Sequence, residues 1–165
     1  MTSSETAMLR SYLDAQRRHV LGILDGLDDA ALLRPVLPSG WSCAGMLSHL
    51  TLDVEHFWFR CVVGAEKAAI DSLDEVEDAW QVGEDVTPST LLQRYREEID
   101  RSDAVLAAAS LDQPPGWWPA DLFGDSHMDD VRDVVLHVTV ETACHAGHLD
   151  AARELIDERQ WLVLG

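Results

Sequence analysis

Glycine and proline punctuate this chain in only a few places, and the intervals between them are long and periodic. Arg34-Pro35-Val36-Leu37-Pro38-Ser39-Gly40 is one break, and Pro114-Pro115-Gly116 with Pro119 is another. Between such breaks apolar residues recur every three or four positions, the period of an amphipathic helix. β-Branched and aromatic residues never alternate over a long run, so strands have no pattern to form from. The 165 residues are expected to make one all-α domain, 1–165, with a real core.

Four long helices are predicted. The first runs from about Ser4 to Asp25, capped by Ser3 or Ser4, with Leu9, Tyr12, Leu13, Gln16, Val20, Ile23, Leu24 and Leu27 inward. Gly26 suits its end, and His19 lies at the edge of the stripe as a structural or exposed residue. A short turn at Asp28 to Leu33 precedes the second helix, about Ser42 to Val63. Its inward set is Cys43, Met46, Leu47, Leu50, Val54, Phe57, Trp58 and Cys61. The third starts with Thr87 as cap and Pro88 in its first turn and ends near Ala109, with Arg94, Arg96, Glu97, Glu98, Asp100 and Arg101 outward. The fourth runs from near Met128-Asp129 to about Asp157. Gly147 inside it costs about 1 kcal/mol relative to alanine, which close approach of a helix or a ligand would explain. These elements make a four-helix bundle whose long connections, 64–86 and 110–126, permit crossovers.

The fourth helix carries the chemistry. His137, Glu141, His145 and His148 follow at +4, +4 and +3, which puts them in one stripe on a helix turning about 100° per residue. Imidazole and carboxylate are ligands for zinc and similar divalent ions. Glu141 and His145 could hold one ion between them if another helix supplied a third ligand. On the second helix, His49 sits among apolar neighbours near the core boundary and is the natural third ligand. Asp53 and His56 share its stripe; His56 is two turns further on, too far to join the ion, and reads as a surface or packing residue. The alternative for the whole set is a polar stripe satisfied by hydrogen bonds and water, with no metal.

Charge narrows the partners. The formal net charge is −18, from 30 acidic against 12 basic residues, and Lys67 is the only lysine. Binding to phosphate needs clustered Lys and Arg, so neither a nucleic acid nor an anionic membrane is an expected partner. No apolar run approaches the roughly 18 residues that would span a bilayer. Cys43, Cys61 and Cys144 are odd in number and form no CxxC, which argues against a disulfide framework and for a reducing, cytoplasmic setting. No stretch at the N-terminus has the form of a signal peptide. The acidic run Glu66, Asp71, Asp74, Glu75, Glu77, Asp78, Glu84 and Asp85 reads as a solvated loop, pinned to the body by Trp80. Trp117-Trp118 either covers the mouth of a pocket or plugs the core. The apolar tail Trp161-Leu162-Val163-Leu164 either packs back or meets a second subunit.

Several pieces resemble a known family: Tyr12-Leu13-Asp14-Ala15-Gln16-Arg17, Pro38-Ser39-Gly40-Trp41, His49-Leu50 with Val54-Glu55 and Trp58-Phe59, Trp80, and Glu141-Thr142-Ala143-Cys144-His145-Ala146-Gly147-His148 continuing through Arg153-Glu154-Leu155-Ile156-Asp157. The chain resembles the DinB-like superfamily of metal-binding four-helix bundles, in a subfamily related to mycothiol-dependent maleylpyruvate isomerase-like proteins. The resemblance implies a metal set of His49, Glu141 and His145, with His148 beside it as a supporting residue or alternative ligand. It implies a divalent ion, zinc or else nickel or another metal, and a low-molecular-weight thiol such as mycothiol or bacillithiol as nucleophile toward an electrophile. It also implies a homodimer. Cys144 stands where the subfamily leads one to expect arginine, so the substrate transfers less directly than the metal. Two functions follow as expectations: a metal-dependent thiol S-transferase or isomerase, or a non-catalytic metal-binding or stress-responsive dimeric protein.

Overall fold

Three side chains decide where three of the long helices begin. Ser42 Oγ accepts from Gly45 N at 3.1 Å, Thr87 Oγ1 from Thr90 N at 3.3 Å, and Asp130 Oδ1 from Asp133 N at 3.0 Å, each satisfying a first-turn donor that has no partner within its helix. The computed structural model describes residues 4–75, 78–83 and 85–162. Ser3, Glu77, Glu84, Val163 and Leu164, named above, lie outside the described residues.

The helices are α1 (Ser4–Leu24), α2 (Asp29–Leu33), α3 (Cys43–His49), α4 (Lys67–Asp71), α5 (Pro88–Ala108), α6 (Ala120–Phe123) and α7 (Val131–Asp157). α3 continues without a break into a π-helical stretch, Leu50–Val63, and α4 into a 3₁₀ turn, Ser72–Glu75. No strand occurs among the described residues, and the architecture is the expected all-α, four-helix DinB-like bundle. The last long helix starts at Val131 because Asp130 caps it, a few residues later than its apolar pattern suggests.

Side-chain pairs give the helix directions. Arg132 at the start of α7 pairs with Glu5 at the start of α1, and Arg153 near the end of α7 donates to Ile23 O and Asp25 O at the end of α1, so these two run parallel. His49 meets His145 and Trp58 meets His137, so α3 and its π continuation run antiparallel to α7. His56 meets Glu98 and Gly64 lies against Val105, so α5 runs parallel to the π stretch. The connection 64–87 therefore traverses the length of the bundle. The connection 109–130 stays at one end, where Val131 N donates to Gln113 O and Arg132 N to Leu111 O.

The π geometry was not foreseen, and it changes the inner face. Bonds from i to i+5 put more residues in each turn, so an inner stripe drawn with a 3.6-residue period drifts out of register. Phe59, Glu55 and Thr51 are buried, whereas Phe57 is only half-buried. Two positions on α1 are exchanged as well: Tyr12 is 59 % exposed and Arg17 is buried. Arg17 goes inside because Glu55 meets it with two hydrogen bonds of 2.7 Å. Glu98, expected outward, is also buried. It accepts from Arg101 and contacts His56 Nδ1 at 3.0 Å.

His56 is the packing residue it was expected to be. Its Nε2 lies 3.3 Å from Ala69 O and 3.2 Å from Ser72 Oγ, tying the start of the crossover to the bundle. Hydrogen bonding to Cys61 and to Glu98 pushes its imidazole up to about 9, against the effect of burial. The described part of the tail packs back at Trp161: its Nε1 donates to His19 at 3.2 Å, its backbone N–H donates to Asp150 at 2.6 Å, and its ring lies over Gly22. Trp117 and Trp118 pack against the core beside Phe57 and Trp58, which favours the plug. Among the described residues, no helix is long and apolar enough to cross a membrane.

Candidate metal centre

The antiparallel pairing of α3 with α7 brings the last residue of α3 to the middle of α7. His49 Nε2 lies 3.2 Å from His145 Nε2, and His145 Nε2 lies 3.1 Å from Glu141 Oε1. One donor atom from each of His49, Glu141 and His145 falls within 4.8 Å of the others, a set that could hold a metal ion. Both imidazoles are mostly buried, and Glu141 is partly open to solvent.

Protons show why the set suits a cation. Asp53 Oδ2 lies 2.8 Å from His49 Nδ1, one helical turn along, so the carboxylate can accept a hydrogen bond from Nδ1–H and leave Nε2 as the donor atom for a cation. Burial, and then the neighbouring His49, holds the His145 imidazole below its usual range, which favours its neutral form. One N–H on His145 cannot satisfy both His49 Nε2 and the Glu141 carboxylate. The other nitrogen, His145 Nδ1, is buried without a hydrogen-bond partner. A cation at the point where the three donors converge would relieve that conflict, so the residues fit a divalent metal.

Aromatic rings flank the set on both sides. Trp80 stacks on His49 with centroids 4.3 Å apart and planes 17° from parallel, and stands 5.9 Å from His145. Gly45 makes this possible, since a Cβ there would lie 2.5 Å from the Trp80 carbonyl oxygen. On the other side His137, one turn before Glu141, meets Trp58 edge-on at 4.5 Å, and burial lowers its pKa.

The four-residue stripe on α7 is thus divided. Glu141 and His145 face His49, His137 lies against Trp58, and His148 is exposed, 5.6 Å from the His145 ring and 6.5 Å from Trp41. Outside its own helical turn, no described atom comes within 4 Å of a Cβ built on Gly147, so close helix packing does not account for that glycine. Cys144 is exposed and Cys43 and Cys61 are buried, all three as free thiols.

Sequence reasoning assigned Asp53 no role. Its spacing of +4 from a candidate ligand was the available signal, since carboxylate partners on metal-binding imidazoles are common. Asp53→Ala is expected to weaken zinc binding about 10- to 100-fold while the far-ultraviolet circular dichroism stays unchanged. Titration against a competing chelator reads this, and an unaltered affinity would remove Asp53 from the site.

An all-helical bundle with a His/Glu/His set between its second and fourth long helices defines a protein of the DinB-like class. A family model described as mycothiol-S-transferase matches residues 8–158, and the chain belongs to that family. No curated protein matches the chain.

Proposed function

We propose that this protein is a metal-dependent S-transferase that uses mycothiol as its thiol, with His49, Glu141 and His145 as the ligands of a divalent ion, zinc in the first instance. The convergence of two imidazole nitrogens and one carboxylate oxygen from two helices carries the reading; the family match supports the thiol. Three protein ligands are the complement of a catalytic zinc site, which keeps a position for substrate. An ion held there would supply a Lewis acid that favours the thiolate form of a nearby thiol at neutral pH. In the transfer a carbon–sulfur bond forms, the leaving group departs with its electron pair, and the thiol proton passes to solvent.

The chain's own residues prepare this centre. Asp53 holds the His49 tautomer, Trp80 fixes the plane of that ring, and burial favours neutral His145. The protein would act in the reducing cytoplasm, where its three free thiols persist, and as a homodimer, whose mass sedimentation would show.

Cobalt substitution tests the reading. Adding mycothiol to the cobalt-loaded protein is expected to produce a thiolate-to-cobalt charge-transfer band and a change in the ligand-field spectrum. Absence of both at saturating thiol would leave a metal-binding protein that does not engage thiols.

A further inference from the structure

The outer face of α7 is free of charge over most of its length. Between Val134 and Arg153 none of its exposed residues is Asp, Glu, Lys or Arg, in a chain that is 25 % charged. Leu136, Val140, Cys144, Gly147, Ala151 and Leu155 follow at +4, +4, +3, +4 and +4, which aligns them in one exposed stripe away from the core. Val140, in this stripe, is 61 % exposed. The apolar surface continues onto α1, where Met8 and Tyr12 are exposed. Glu5, Tyr12 and His19 lie seven residues apart on one side of that helix. Glu5 pairs with Arg132, and His19 accepts from Trp161, which Asp150 holds, so this is the side that faces α7. The Glu5–Arg132 pairing also sets Met8 and Tyr12 level with Leu136 and Val140.

Charge, area and side-chain size say what covers this face. A basic partner would be drawn to the acidic surfaces of a protein of net charge −18, and this stripe offers it no counter-charge. An uncharged apolar surface fits instead, and the chain presents one itself. From Leu136 to Leu155 the stripe is about 28 Å long, and α7 with the flank of α1 is about 20 Å wide. That makes about 600 Å² per copy, or about 1,200 Å² for two, which reaches the size of a stable specific interface. The sizes along the stripe are self-complementary. An antiparallel two-fold at the level of His145 and Ala146 sets Val140 opposite Ala151 of the partner subunit and Cys144 opposite Gly147 of the partner subunit. Gly147, which no packing within the chain explains, then makes room for the second helix.

We propose that two copies of this chain associate through this face, α7 against α7 in antiparallel orientation with the flank of α1 closing the edge. The proposal names the surface that makes a homodimer and depends on neither the metal nor the thiol. Sedimentation equilibrium of the full chain at about 100 µM, well above a micromolar Kd, tests it. The wild type is expected at twice the 18.3 kDa of one chain. Gly147→Leu has room within a single copy and suits a helix better than glycine, so its Tm should not fall. It should nevertheless weaken association at least about tenfold, because the added side chain fills the space of the second helix. Val140→Glu, at an exposed position, should do the same by burying a carboxylate in the interface. Zinc content and Tm verify each variant, and either one suffices if the other fails to fold. Cys144 supplies a second readout, since Cys43 and Cys61 are buried. A short bismaleimide should join wild-type chains through Cys144 and leave both variants unjoined. A monomeric wild type, a dimer that the folded variants leave intact, or a wild-type dimer without the Cys144 cross-link overturns the proposal. None of these results bears on the cobalt test of the thiol reading.

Discussion

His145→Ala is expected to emerge from purification without a divalent ion and the wild type with one, and His49→Ala is expected to behave as His145→Ala does. The two imidazoles come from helices 96 residues apart in sequence, and their Nε2 atoms stand 3.2 Å apart. Each is placed by its own surroundings, His49 by Asp53 and Trp80 and His145 by burial. A structural zinc site with four ligands is worth about 10–16 kcal/mol, so removing one of three ligands should remove roughly 3 kcal/mol or more, over a hundredfold in affinity. Elemental analysis after dialysis should find about one zinc per wild-type chain and less than about a tenth of that in either variant. Glu141→Gln should fall between, because Glu141 is 37 % exposed and water can replace its oxygen. His137→Ala and His148→Ala should keep the ion, since neither ring joins the three donors. That contrast separates a defined centre from loose binding by any exposed histidine. A wild type that takes up neither zinc nor nickel under these conditions would sink the proposed function and leave the stripe as structure.

Much of this geometry was legible because it depends on local periodicity. The i, i+4 spacing of Glu141 and His145 needs only a helix, and the cap at Thr87 is visible in a single residue. His49 was reachable because its apolar neighbours place it near the core boundary, on a helix other than that of Glu141 and His145. What escaped depends on the third dimension. Trp80 comes from an acidic connection, and its stacking on His49 relies on Gly45 letting the chain approach. The π stretch escaped because its hydrogen bonds follow no residue signature, and with it went the burial of Glu55 and Phe59. Glu98 was read as outward and Arg17 was left out of the inner stripe, and each is inside because its partner comes from another helix.

Arg17→Met is expected to destabilise the fold by about 3–5 kcal/mol, a larger loss than any single surface ion pair here could cause. The Arg17 guanidinium meets Glu55 through Nε and Nη2, both at 2.7 Å, and turns Nη1 to Asp103 at 2.8 Å and Asp14 at 3.0 Å. Glu55 is 1 % exposed, so removing its partner leaves a carboxylate in the core beside fully buried Tyr95. Asp14 and Asp103 are 41 % and 32 % exposed and should add little, because water can take over their contacts. For a chain of this length the loss corresponds to a fall in Tm of roughly 6–20 °C. The double variant Arg17→Met/Glu55→Leu removes both charges and should recover most of the loss, since an apolar pair of similar volume spares both desolvations. Thermal and guanidinium unfolding of the two variants decide the matter. A single-variant loss below about 1 kcal/mol, or a double variant no better than the single, would show that the pair is not what holds α1 to the π stretch. The same comparison reaches the metal centre, because Glu55 lies two residues beyond Asp53 on the segment that follows His49. If the pair serves only stability, the double variant should bind zinc as the wild type does. If it also sets the position of the π stretch, zinc affinity should stay reduced after stability has returned.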